Sequence, residues 1–432
     1  MLPTVETMHS EITLYPGATG ATVTPQSHSS IAISTLKHHI QHPMHKLESR
    51  SDIIRGFSPA WFITTMGTGI IGALLINFPY RTPALQYISW GISLVNLAVF
   101  IACCVLFSWR LIRYRDFYSI LMHPQQSMLL GAIPMGLCTL VVCLVWTLKP
   151  YNVPWMPMLA LVLWCIDVVL SVMSFLVIPF LVTSHQKHAL ETVNATLLLP
   201  AVPTIVASTG GAIVASVHNG GVATTIITIS YMLWAMGMGV AMLLTIVYLI
   251  RLVLFKLPPK EAIATAFIPL GPFGQASYGI QLLGVQAARL FPTELSQIAY
   301  LGDVLLSIGF FVGLMIWSLA TWWFAHAVYS MVYTRVHGKI PFNLGWWALI
   351  FPISTFAAST NSLWTLTGYT FFRVLASFII VGVTLLWISI VALTICYAWT
   401  GELFKAASVV QLELKDTVPE DFDSENPEEC LE

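Results

Sequence analysis

Five apolar stretches of this chain each hold a proline followed by small or hydroxyl residues. They read Ser58-Pro59-Ala60-Trp61 leading to Met66-Gly67-Thr68-Gly69; Ile133-Pro134-Met135-Gly136; Pro200-Ala201-Val202-Pro203 leading to Ser208-Thr209-Gly210-Gly211; Pro269-Leu270-Gly271-Pro272-Phe273-Gly274-Gln275; and Phe351-Pro352-Ile353-Ser354. Their polar groups are neutral: Thr64, Thr65, Thr68, Ser208, Thr209, Gln275, Ser277, Ser354, Thr355 and Asn361. Hydroxyls and amides without an adjacent base or nucleophile do not make or break bonds. They replace water around a small ion. Proline removes a backbone donor and kinks a helix, and in lipid such a break survives only where protein or water satisfies the freed carbonyl. It also leaves helix N-termini inside the membrane, whose free N–H groups and positive dipole ends favour an anion. Ser58 before Pro59 reads as an N-cap with proline at the first helical position, a further donor end.

These groups need elements to hold them. The chain has 432 residues, 57% hydrophobic and 9% charged, with a net charge of −1. A soluble domain carries about 25% charged residues. The composition therefore reads as an all-α polytopic membrane protein and excludes a nucleic-acid partner. Apolar runs long enough for a bilayer, about 20 residues each, fall at 57–78, 85–109, 126–148, 155–182, 194–217, 222–250, 262–287, 298–333, 345–367 and 370–400. The eighth is long enough to require tilt or extension beyond the bilayer. Distributing the 19 basic residues over alternate connections puts 15 on one side, including Lys37, Arg110 and Lys405, and only Arg81, Lys149, Arg289 and Arg373 on the other. The positive-inside rule then places both termini in the cytosol. No secretory signal pattern precedes the first span. The expected organisation is a cytosolic tail over 1–55, a transmembrane domain over 56–400 and an acidic cytosolic tail over 401–432, which holds ten of the 20 acids.

The prolines at 59, 134, 203, 269 and 352 are spaced by 75, 69, 66 and 83 residues, and the even spans mostly lack the pattern. The unit is a two-helix hairpin used five times in one orientation. The odd helices are expected around a central path and the even helices outside. Four ionisable residues fall within even spans, where charge is expensive: Asp167, Asp303, His326 and Arg373. Asp303 and Arg373 both lie near extracellular helix ends, which predicts an ion pair or, as the sharper reading, an outer anion site at Arg373. Asp167 reads as packing glue or a proton relay, and His326 as a packing histidine.

Other patterns carry less. Gly67-Thr68-Gly69-Ile70-Ile71-Gly72 matches the dinucleotide fingerprint, but no strand precedes it, so close helix packing explains it better. His38, His39, His42 and His45 precede the first span with Pro43 among them, and read as a solvated tail rather than a metal site. No Cys-x-x-Cys, zinc-binding pair or catalytic cluster occurs, so neither metal, cofactor nor enzyme activity is expected. The sequon at Asn194 falls at a cytosolic helix end and should carry no glycan; one found there by mass spectrometry would overturn the topology.

The stretch Leu270-Gly271-Pro272-Phe273-Gly274-Gln275-Ala276-Ser277-Tyr278-Gly279, with Ile133-Pro134-Met135-Gly136-Leu137, Leu163-Trp164 with Asp167, and Phe372-Arg373-Val374-Leu375, resembles the tellurite-resistance/dicarboxylate transporter family. That family includes the plant slow anion channels. The likeness covers nearly all of 56–400 and is nearest to the fungal sulfite-efflux branch. The malate branch tends instead to Gly-Pro-Pro followed by Phe-Ser-Gly. The resemblance implies a plasma-membrane homotrimer that exports sulfite or bisulfite, or else a C4-dicarboxylate transporter or general small-anion channel. It also implies a pore in each protomer closed by an aromatic side chain of the ninth helix. Trp347-Ala348-Leu349-Ile350-Phe351-Pro352 aligns with the gating segment and puts Phe351 at the gate, while Phe273 joins the lining.

Overall fold

The computed structural model describes residues 54, 56–186, 189–291, 298 and 300–399. These belong to one of the two units into which the chain divides, Arg50–Glu432. Both tails, the His38–His45 cluster included, lie outside the described residues. Ten long helices run through the described part: α1 (Phe62–Ile76), α2 (Pro83–Tyr114), α3 (Ala132–Leu148), α4 (Met156–Ser184), α5 (Val202–Ala215), α6 (Gly220–Phe255), α7 (Leu270–Leu290), α8 (Leu301–Val336), α9 (Ile350–Thr367) and α10 (Thr370–Trp399). The chain is an all-α, multi-pass membrane protein. Among the described residues seven helical segments are long and apolar enough to cross a bilayer: those of α1, α2, α3, α4, α6, α8 and α10.

Odd and even helices differ in length and surroundings. The odd helices have 15, 17, 14, 21 and 18 residues and the even ones 32, 29, 36, 36 and 30. At 1.5 Å per residue the longest reach about 54 Å, more than a bilayer core of about 30 Å. The even helices present apolar side chains outward, as with Ile112 and Phe378, each 78% exposed. Such surface suits hydrocarbon, not water. The odd helices are buried nearly all round; every residue of α5 is buried.

Contacts close the arrangement. Each odd helix packs on the next odd helix, α1 on α3, α3 on α5, α5 on α7, α7 on α9 and α9 back on α1. Each even helix packs on the odd helix before it and the odd helix after it, α10 returning to α1. The result is an inner ring of five helices with five outer helices in its grooves.

The prolines act differently from the expected mid-helix kink. Pro203 is the second residue of α5, and Pro134, Pro272 and Pro352 are the third residues of α3, α7 and α9. In the first turn a proline removes an N–H that has no intrahelical partner, so it costs little there. Short 3₁₀ turns lead into α1, α5, α7 and α9, such as Leu344–Leu349 before α9. The odd helices therefore start at their prolines. Ser58 caps the turn before α1, its Oγ accepting from the Ala60 N–H at 3.1 Å.

A second repeat stitches the rings together. The indole N–H of Trp164 on α4 donates to the Ala207 carbonyl of α5 at 2.8 Å, and Trp234 on α6 to the Ala276 carbonyl of α7 at 2.8 Å. Trp317 on α8 donates to Thr360 Oγ1 of α9 at 2.9 Å, and Trp387 on α10 to Thr68 Oγ1 of α1 at 3.2 Å. These tryptophans are spaced by 70, 83 and 70 residues, close to the proline spacing. That periodicity is visible in the sequence but was masked by the general abundance of aromatic residues in membrane helices. Trp164→Phe keeps the bulk and deletes the donor. It should lower stability by about 1 kcal/mol, read as an earlier thermal transition in detergent; an unchanged transition would show that the Ala207 carbonyl needs no such partner.

Candidate anion pathway

Two cavities lie inside the ring. The first, about 170 Å³, sits among the N-terminal ends of the odd helices: Ile63 and Met66 of α1, Met135 of α3, Val202 of α5, Gly271 and Pro272 of α7, and Phe351 and Pro352 of α9. Its lining is almost wholly apolar. Five parallel helices point their N-termini at this one space, so the partial positive charge of their first turns converges there without any basic side chain. The second cavity, about 60 Å³, lies further along the same helices. Asn77, Thr139, Thr209, Gln275, Tyr278 and Asn361 add polar groups to a mainly apolar lining, with Cys138 and Val206 beside them.

Phe351 is common to both linings and is 2% exposed. It occupies the first turn of α9, one residue before Pro352. Five residues on, Phe356 stacks at 5.7 Å on Trp317 and at 5.6 Å on Phe324 of α8. That stack fixes α9 from behind, and Phe351 with it.

The other candidate residues divide by what their side chains do. Thr209, Gln275 and Asn361 line the second cavity. Thr64, Thr65 and Thr355 donate to backbone carbonyls within their own helical turns, at 2.7, 2.7 and 2.8 Å. Thr68 accepts from Trp387, and Ser58 is the cap described above. Ser277 faces away, in a network with Ser359 Oγ, Gln281 and the Gly313 carbonyl of α8. Phe273 is buried in the core outside both linings. Ser208 and Ser354 are fully buried with no hydrogen-bond partner among the described residues. Alternation of ring contact and cavity contact along a helix depends on its azimuth, which sequence alone does not supply.

The charged residues of the even helices are also placed. Asp303 and Arg373 form no ion pair, correcting the expectation. Asp303 is exposed at the start of α8, while Arg373 lies over the rings of Tyr80, at 4.1 Å, and Trp364, at 5.2 Å. Similar positions near the starts of α8 and α10 do not bring them together, because the two helices occupy different grooves of the ring. Asp167 is fully buried, with the Cys138 thiol beside its carboxyl group. His326 stacks on Trp322 at 5.4 Å. The ion pair found among the described residues is Arg110 with Asp116 at 2.6 Å, where Arg110 also donates to the Phe57 carbonyl and ties α2 to the entry of α1.

The model of the voltage-dependent anion channel family, SLAC1, matches residues 56–395. The chain belongs to this family. Among curated relatives of this SLAC1-family chain, the sulfite efflux pump SSU1 of Arthroderma benhamiae is 36% identical over 372 residues, covering 85% of this chain and 98% of the relative. The sulfite efflux pump SSU1 of Trichophyton rubrum matches to the same extent. A malic acid transport protein of Schizosaccharomyces pombe is more distant, at 22% identity over 355 residues, covering 80% of this chain and 79% of that protein. The glycines of the family-like stretch have a plain packing reason here. A Cβ on Gly274 would lie 2.7 Å from the Phe356 backbone nitrogen, so α7 and α9 meet backbone to backbone. Gly69 in the dinucleotide-like run is equally tight, its Cβ position running into Thr139 Oγ1 of α3.

Proposed function

We propose that the protein exports sulfite or bisulfite across the plasma membrane, through a path inside each protomer that Phe351 closes, with both termini cytosolic and three copies per assembly. The observation that carries the path is the position of Phe351 between two cavities of the same five-helix ring. The identity of the anion rests on the sulfite efflux pumps at 36% identity against 22% for the malic acid transporter. A ring without an inward-facing cation suits a small inorganic anion better than a dicarboxylate, whose two charges need stronger compensation.

The first cavity faces the cytosol in this reading, and its converging helix ends concentrate anions at the entrance. An anion leaving a negative-inside cell gains about 2.3 kcal/mol per charge per 100 mV. Export then needs no coupling ion, and the path works as a gated uniporter. Competitive flux in proteoliposomes offered sulfite, malate, nitrate and chloride tests the substrate; sulfite should dominate, and a preference for malate would overturn the assignment. The reversal potential should follow the sulfite gradient alone. A shift that tracks the proton gradient would replace uniport with proton coupling.

A further inference from the structure

The second cavity contains both kinds of hydrogen-bonding group, and this narrows which form of the substrate it accepts. On the five ring helices the one formal charge is Arg289, in the last turn of α7. Its guanidinium is engaged with the Ala215 carbonyl at 2.6 Å and Asn219 Oδ1 at 3.1 Å. Among the described residues no cation lines the cavity. The penalty for desolvating an ion grows with the square of its charge, so a dianion costs about four times as much as a monoanion of the same size. That disfavours the fully ionised substrate.

The free groups then discriminate among monoanions. Gln275, 5% exposed, and Tyr278, one helical turn further along α7, line the cavity and make no side-chain hydrogen bond among the described residues. Both offer donors. Asn361 is different. Its amide nitrogen donates to the Asn77 carbonyl at 3.0 Å, which fixes the flip and leaves Oδ1 without a partner. Thr139 and Thr209 spend their protons on carbonyls of their own helices, at 2.8 and 3.1 Å, and keep only acceptor capacity. A space holding both unspent donors and unspent acceptors suits an anion that itself carries a hydroxyl proton. Nitrate and chloride leave the acceptors unpaired, which is penalised in a buried site.

We propose that the second cavity selects the protonated monoanion bisulfite, Asn361 Oδ1 accepting its O–H while Gln275 and Tyr278 donate to its oxygens. This rests on the sulfite-export reading. The titratable groups facing the cavity are Cys138 and Tyr278, with Asp167 of α4 behind Cys138.

The test measures charge and sulfite together in proteoliposomes of the wild-type protein, above the leak of protein-free vesicles. One charge should move per sulfur at every pH. At fixed total sulfite the flux should fall about tenfold per pH unit once bisulfite loses its proton, while nitrate flux stays level, and Asp167→Asn should keep that profile. Asn361→Leu should narrow the preference for sulfite over nitrate about tenfold, the nitrate flux itself reporting an intact fold. Two charges per sulfur, a flux flat in pH, a profile abolished by Asp167→Asn, or an unchanged preference in Asn361→Leu would each overturn bisulfite selection and leave sulfite export standing. Nitrate flux without sulfite flux would overturn both.

Discussion

Phe351→Ala should raise sulfite flux in proteoliposomes on the order of tenfold or more. The ring of Phe351 is 2% exposed and stands where the two cavities meet. An aromatic side chain there blocks an ion by its bulk and by keeping water out. Truncation to a methyl joins the second cavity to the first, and each reduction of about 1.4 kcal/mol in the barrier multiplies the rate about tenfold. The helix should survive, because α9 is held through Phe356 and Trp317 rather than through Phe351. Phe351→Trp should leave the path shut. Flux unchanged or lowered in the alanine variant, with the same elution profile and thermal transition as wild type, would remove Phe351 from the gate.

Gly274→Val should destabilise the protein by about 3 kcal/mol, the upper end for overpacking a tight interface, and abolish transport. The Cβ position lies 2.7 Å from the Phe356 nitrogen, 2.7 Å from Thr355 Oγ1 and 2.9 Å from the Thr355 carbonyl carbon. Two of these are backbone atoms of α9, so no rotamer change relieves the clash. The helix carrying Phe351 must move away from α7. Thermal denaturation in detergent reads the cost. Gly239→Val is the control: it lies on outer helix α6, and a Cβ there meets nothing within 4 Å. Equal stability of the two variants with wild type would show that α7 and α9 are not held at backbone contact.

Much of the plan was legible in the chain. The long apolar runs, the alternating basic connections and the five prolines together predict repeated hairpins, because lipid requires satisfied backbone and the repeat spacing survives in the residues that cap helices. Where the prolines act was less legible. The rule that proline kinks a helix gives way here to the rule that proline starts one, and the two differ only in where the preceding 3₁₀ turn ends, as between Leu344 and Ile350. The candidate lining was legible as a list but not as a surface. Thr65 and Thr355 lie outside both linings, whereas Thr139, Cys138 and Tyr278, none of them in the expected lining, border the second cavity.

The sequence by itself determined roughly which segments are helices and which of them shun charge. Those follow from hydropathy, proline and basic-residue placement, all of which act locally. Only the tertiary structure decided which faces meet. Closure of α9 onto α1, the seat of Phe351 between two cavities, and the separation of Asp303 from Arg373 depend on the rotation of each helix about its axis. That rotation is set by the summed packing of glycine contacts and tryptophan hydrogen bonds between segments roughly 40 to 320 residues apart, and no local pattern encodes such a sum.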